Sequence, residues 1–508
     1  MSMAAAKTPE IKTSEAPGDS SSSSVNDGFH HARRGEIVDD VSGGEVIDGY
    51  EAERMRARTA LTADEERKLI RRIDWHLMPL CSLIFMFKNL DSDNVSNARI
   101  MNKGTHQNIM TQLSLTSDEY ALVTALYYDI TDTIYRRRGT FKSTSQAIFT
   151  ITLAVKNSEA GMFPGIILQM TYWYRPDEMS LRLLYFYICG NLSGIFSGIL
   201  AFAFDHASGA RGLSGWQWLF LVEAIATILL GVAVWFLLPD FPQTASWLTD
   251  KEKAFIQARL PSNAPRAAEQ DFKLSEIISS LKDKRLWLFT AIWAFFTVGT
   301  SGVRFYQPTV IADLGFTTIA QAQLLNLPIT ILGLVVIGVT GVIADNGRVP
   351  RPVFPLVFLT TILVCYGVMV AYPSNAAVYA VTMIGNAVTA AWFPMMWPWR
   401  VQTTSRATGS AFSIGFVNSY GQIGGAIGPQ IFRSAYAPRY QIPFAVAMGL
   451  VGCCMITTLV TWWVTRRTER DTRKLKLARI AAAKRDDAIL DDVVDNDLRR
   501  KAAGPAEV

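Results

Sequence analysis

The chain is poor in the residues that build metal centres, disulfide frameworks and soluble active sites. Its five cysteines, Cys81, Cys189, Cys365, Cys453 and Cys454, all lie in apolar stretches without metal-ligand spacing. Free thiols are expected, and a zinc framework or a secreted disulfide scaffold is excluded. Five histidines, His30, His31, His76, His106 and His206, likewise lack ligand spacing. There is no HExxH, no nucleophile elbow and no phosphate-cradling glycine loop, so neither an enzyme nor a cofactor is expected. Charged residues make up only 18% and the net charge is +5, too little surplus to point to nucleic acid. The N-terminal stretch, with its serine run Ser20 to Ser24, has no apolar core of a signal peptide. Residues 1–49 are therefore expected to be a disordered cytosolic tail, with the first membrane helix acting as an uncleaved targeting signal.

What the chain has instead is apolar length. A helix rising about 1.5 Å per residue needs about 20 apolar residues to cross a hydrocarbon core of about 30 Å. Runs near that length recur: Trp75 to Leu90, then Leu183 to Phe204, Trp216 to Leu238, Leu286 to Val303, Ala322 to Ala344, Val353 to Tyr372, Ala376 to Pro398, Thr408 to Gln430 and Pro443 to Val464. An all-α, polytopic membrane protein is the fold class this predicts, with membrane lipid as a partner.

The connectors set topology. Arg71 and Arg72 precede the first run, and alternate connectors carry Arg175 and Arg182, Lys251 to Arg285, Arg348 and Arg351, Arg400 and Arg406, and Arg466 onward. By the positive-inside rule these sides are cytosolic, as are both tails, although Arg433 and Arg439 weaken the alternation once. The longest interior connector, 239–285, is charged and amphipathic around Trp247 to Leu260, and it divides a first bundle at 50–238 from a second at 286–466, before a tail at 467–508. Two six-helix bundles joined by such a loop are the plan of major facilitator transporters. Gly190, Gly194 and Gly198 in one half and Gly421, Gly425 and Gly428 in the other occupy repeat-equivalent places, where small residues let helices approach.

Four strings sharpen this. IDWHLMPL, KNLDSDNVSNARIMN, EAGMFPGIILQMTYWYRPDE and GWQWLFLVEAIATILLGVAVWFLLPDFP resemble the fungal anion:cation symporters of the major facilitator superfamily, the allantoate permease group. The resemblance covers most of residues 71 to 466. It implies a carrier of small organic anions or vitamin-like carboxylates, usually moved with protons. It also exposes a departure. After Tyr128 the family continues through the rest of helix 2, a basic turn, helix 3 and the start of helix 4, whereas this chain reads DITDTIYRRRGTFKSTSQAIFTITLAVKNS before rejoining at Glu159. Against that resemblance residues 129–158 are an aberrant segment with some thirty residues missing, and the first bundle is expected to be incomplete. Asp129, Asp132, Arg136, Arg137, Arg138 and Lys142 would each cost about 2.5 to 3.5 kcal/mol at a helix centre.

Ionisable groups inside spans are costly, which makes them functional candidates. Lys88 leads as a substrate-binding residue, since an ammonium can pair with a carboxylate; snorkelling to the interface is its structural alternative. Arg304, with Gln307 beside it, offers a guanidinium for bidentate recognition or merely an interfacial cation. Asn326, Asn386, Trp392 and Asn418 supply polar and aromatic surface to a midplane cavity, or interhelical glue. Asp91, Glu159 and Glu223 are the candidates for proton coupling, with pairing to Lys88 or capping the helix end as the structural alternative for Asp91 and a satisfied packing contact as that for Glu223. In GVIADNGR, Asp345 and Arg348 are expected to pair at a cytosolic gate. Asn94 begins an N-x-S triplet, which its closeness to the membrane makes a poor glycosylation site.

The expected function is alternating access, taking up an organic anion with protons, in the plasma membrane. Two alternatives stay open: an exporter of a secondary metabolite, disfavoured by GNLSGIFSG lacking the proline of drug antiporters, and a non-transporting sensor or defective product.

Overall fold

A computed structural model describes residues 29, 31–35, 52–115, 120, 162–239, 241–260, 274–313, 326–401, 407–432, 436 and 440–490. A short strand β1 (His31–Arg33) and helix α1 (Ala52–Thr59) precede α2 (Ala63–Ile100), whose 38 residues hold the first apolar run. α2 starts where it does because Thr62 and Glu65 form a reciprocal capping box: the Thr62 hydroxyl accepts from the Glu65 N–H at 3.3 Å and the Glu65 carboxylate from the Thr62 N–H at 2.9 Å. A one-turn helix α3 (Ile109–Gln112) follows, and then α4 (Met162–Trp173), α5 (Met179–His206) and α6 (Gly215–Leu237) complete the described first half. The 12 described residues of α4 rise about 18 Å. The aberrant segment 129–158 lies outside the described residues.

The connector folds into α7 (Asp250–Arg259), begun by a Thr249–Glu252 capping box, and α8 (Leu274–Lys282). The second half consists of α9 (Lys284–Asp313), α10 (Asn326–Asp345), α11 (Val353–Ala371), α12 (Asn375–Val401), α13 (Ala407–Ile431) and α14 (Gln441–Ala483). A strand β2 (Asp487–Ile489) ends the described chain and pairs antiparallel with β1, His31 opposite Ile489. The two tails therefore meet on one face, the face that also carries the arginine-rich connectors. We call it the basic face. This pairing departs from the sequence expectation twice: part of the 1–49 segment is a strand, and α14 continues as helix well beyond Val464.

Among the described residues six helices, α5, α6, α10, α11, α12 and α14, are long and apolar enough to cross a bilayer. Their outward residues explain themselves only in lipid: Ile225, Ile228, Leu229, Val232, Trp235 and Phe236 form an exposed apolar stripe on α6. Threonine hydroxyls along α9, α12 and α14 bond back to carbonyls one turn earlier, as Thr290 does to Leu286, Thr382 to Val378 at 2.7 Å and Thr458 to Cys454 at 2.8 Å, which satisfies these donors within their own helices. The internal repeat is visible in packing. α2 lies against α5 at Gly190, where a Cβ would overlap the Phe85 ring, and α9 lies against α13 at Gly421 and Gly424, where it would meet Trp293 and overlap Thr297.

Candidate functional site: a polar helix above a two-layer closure

The polar string of α2 sorts itself by helical period. Asn89, Asp93 and Asn97 recur every four residues and face α5: the Asn89 amide donates to the Gly190 carbonyl at 3.0 Å, Ser193 donates to Asp93 at 3.1 Å, and Asn97 donates to Ser197 at 2.5 Å. Ser197 in turn donates to Asn94 at 2.8 Å, and the Asn94 amide donates to Glu223 of α6 at 3.1 Å. This network lies between the helices of the first half, with Asn94, Ser193, Ser197 and Glu223 buried and Asn89, Asp93 and Asn97 half-buried. It gives Glu223 a hydrogen-bonded place between helices, and Asn94, fully buried within a helix, cannot receive a glycan.

Lys88 and Asp91, three residues apart, share a different face of α2. Lys88 is half-buried and makes no hydrogen bond or ion pair among the described residues, while Asp91 is buried. One turn toward the basic face from Lys88 sits Phe85, the first ring of an aromatic layer. Phe85 stacks on Phe186 at 4.2 Å and touches Phe163 at 5.6 Å. The layer then crosses between the halves: Phe163 of α4 meets Trp397 of α12 at 5.3 Å, and Tyr187 of α5 lies parallel to Phe393 of α12 at 6.5 Å. Within the second half Trp392 stacks on Phe296 at 3.7 Å and meets Trp293 edge-on at 5.1 Å. Trp392 is thus fully buried inside the layer, and in this state it belongs to a closure. Also buried is Arg400, which donates to Ser413 and lies over the Phe289 ring at 5.2 Å; its sequence reading as a loop charge is corrected, because α12 continues to Val401 and carries it into the packed interior.

Beyond the aromatic layer, at the basic face, lies a charged one. Arg182 holds Asp74 with two bonds of 3.1 Å and lies over the Tyr174 ring at 4.6 Å. Arg479, on the tail end of α14, pairs with Asp177 of the first half at 3.0 Å and so bolts the two halves together. Glu66 receives Arg34 at 2.6 Å, with Arg175 and Arg259 each at 3.7 Å; Glu178 receives Arg175 at 2.6 Å and Arg259 closer still. Burial pushes these carboxyls up, but the guanidiniums outweigh it and hold Glu66, Asp177 and Glu178 below the usual carboxylate range. Burial depresses Arg259, only partly opposed by Glu178.

Other candidates are placed as follows. Arg304 and Gln307 lie on the last turns of α9 and Asn326 opens α10, but their side chains are outside the described residues, as is Glu159 altogether. Half-buried Asn386 donates to the Thr382 carbonyl of its own helix at 3.0 Å, and Asn418 is half-buried on α13. Asp345 does not pair with Arg348 as expected. It takes Lys476 of α14 at 2.6 Å, because that helix continues far enough to lay its basic face beside the turn, while the Arg348 carbonyl accepts from Arg473 at 3.1 Å. Sequence reasoning missed Phe163, Tyr187, Trp397 and the Asp177–Arg479 pair. The aromatic density of AWFPMMWPWR was a usable signal; the ion pair, between residues 302 apart, had none.

Among the described residues no group of acidic, histidine or cysteine side chains is arranged to hold a metal ion. The model of the Major Facilitator Superfamily matches residues 141–429. The MFS-type transporter cnsO of Penicillium expansum is 26% identical over 88% of this chain and 92% of its own length, and the major facilitator-type transporter hxnP of Emericella nidulans is 24% identical over 84% and 92%. In fold, the chain is similar to the structure of the proton:xylose symporter XylE, with a TM-score of 0.52 at 12% identity, covering 76% of this chain and 95% of that one. A chain of membrane-spanning helices in two repeat-related halves, closed across one face and matched by this family over more than half its length, is a membrane transporter rather than an enzyme, and it belongs to the Major Facilitator Superfamily.

Proposed function

We propose that this transporter takes up a small organic anion together with protons, as its resemblance to the allantoate permease group implies, and that Lys88 is the primary contact for the substrate carboxylate. The observation that carries this is the half-buried ammonium, without a described partner, one turn away from an aromatic floor shared by both halves. An ammonium held there loses part of its hydration and regains it through an incoming carboxylate. The basic face is read as cytosolic, so the state seen is closed to the cytosol, the one in which uptake begins. Arg304 and Gln307 on α9, with Asn326, Asn386 and Asn418, are proposed to complete the site from the second half. Asp91 beside Lys88, Glu223, which accepts from the Asn94 amide, and Glu159 are the proposed proton carriers. Asp345 and Arg348 are proposed to act in gating, through α14 rather than through each other.

The plasma membrane is the proposed location, checked by surface labelling of a tagged chain. The replacement of a helix pair by residues 129–158 belongs to the same proposal and is tested by transcript sequencing across the codons for Tyr128 to Glu159. Radiolabelled carboxylate uptake tests the site, in the chain as given and in one carrying a restored segment. Lys88→Ala should abolish uptake with surface expression intact, a loss of about 2–5 kcal/mol for an anion left unpaired, and Lys88→Arg should retain part. Parental rate and affinity in Lys88→Ala would defeat the assignment and move the anion site to Arg304. A secondary-metabolite exporter is the second reading, favoured if loaded vesicles show only efflux.

A further inference from the structure

We propose that the basic face contains a second, non-transport site: a buried pocket for a small oxyanion of the phosphate class, which ties the tails and both halves together. A cavity of about 70 Å³ lies between β1, α2, the α4–α5 turn, α7, the end of α14 and β2, with Arg34, Arg58, Arg175, Arg259, Arg479 and Glu66 among its walls. Arg259 is the decisive member. Only 3% exposed, it spends one terminal nitrogen on Glu178, while its Nε and its other terminal nitrogen, both buried, have no hydrogen-bond acceptor. Four guanidiniums, of Arg34, Arg175, Arg259 and Arg479, share three carboxylates, Glu66, Asp177 and Glu178, and the surplus positive charge falls on the member whose donors are unused; Asp487, also in the wall, pairs with Arg485 at 3.6 Å.

A buried guanidinium with unused donors is costly, and the asymmetry is relieved by an acceptor that also carries charge. Water supplies the first and not the second. A volume of about 70 Å³ has room for a single tetrahedral oxyanion. The planar, forked donors of arginine match such an ion. Its source is either free inorganic phosphate or the phosphomonoester of a lipid headgroup. Because Arg34 comes from the N-terminal tail, Arg175 from the first half, Arg259 from the connector and Arg479 from the C-terminal tail, an ion bound there stabilises the closed basic face.

The test uses the full chain in phosphatidylcholine nanodiscs. Its thermal midpoint is followed against inorganic phosphate, with chloride holding ionic strength constant, and in parallel nanodiscs containing a phosphatidylinositol monophosphate. A saturable rise with phosphate, weakened about ten- to hundredfold in Arg259→Gln as charged hydrogen bonds are lost, supports the site with a free ion. A rise with the phosphoinositide alone, lost in the same variant, supports it with a lipid source. No effect beyond chloride in either arm, or an Arg259→Gln response equal to the parent, overturns it and leaves a water-filled cavity. Should Arg259→Gln fail to fold, Arg34→Gln repeats the comparison from another wall, and a parent chain without a saturable response overturns the proposal regardless.

Discussion

Neutralising Asp177 should open the basic face. Its carboxylate meets Arg479 at 3.0 Å across the two halves, and the side chains are only 8% and 12% exposed. Removing one member of so buried a pair costs about 3–5 kcal/mol, mostly the penalty of stranding the other charge. That cost falls on the closed state alone, because separating the halves rehydrates both groups. The closed-to-open ratio should therefore fall by roughly 200- to 5,000-fold in Asp177→Asn. Leu184 provides the reporter: it is 2% exposed and lies against Gly341 of the other half so closely that a Cβ at Gly341 would overlap it. In a Cys453→Ser background, which removes the exposed thiol, Leu184→Cys should be modified by a membrane-impermeant maleimide at a rate that tracks the open population. Asp177→Asn should raise that rate by the same factor. Arg479→Gln should raise it similarly, and the double variant should add little more, since the two changes remove one interaction. Labelling at the parental rate in Asp177→Asn would refute the pair as a closure element.

Two further outcomes follow from the same geometry. Glu66, Asp177 and Glu178 all have depressed carboxyl pKa values, so their stabilisation is fully present above the unfolded values of about 3.9–4.3 and is lost as pH falls through the still lower folded values; the thermal midpoint should be flat from about pH 8 to pH 5 and drop below about pH 4. The glycines of the two halves should behave oppositely to an open helical glycine: Gly424→Ala forces a methyl into the Thr297 backbone and should destabilise by about 1–3 kcal/mol, whereas Gly231→Ala, with nothing within 4 Å, should gain about 0.5–1 kcal/mol, both read as thermal midpoints in detergent.

The sequence by itself determined the class and plan of this protein, because lipid leaves so few solutions. Backbone polar groups must be satisfied within each crossing, so hydrocarbon-length apolar runs become helices wherever they occur, and the long runs in α5, α6, α10, α11, α12 and α14 are legible without coordinates. The glycines at 190 and 421 likewise announced close helix approach, and Lys88 announced itself by the cost of its charge. Only the tertiary structure decided what meets across the halves. Asp177 and Arg479 are 302 residues apart, and Arg479 alone reads as one more topology charge; Arg400 reads as a loop residue until α12 is seen to continue to Val401. Asp345 chose Lys476 over Arg348 because α14 runs on past the membrane, and β1 found β2 because both tails emerge on one face. Local composition encodes which segments enter the bilayer, since that is a transfer energy of each segment alone. Pairing between distant side chains is set by how the helices pack, and no local pattern carries it.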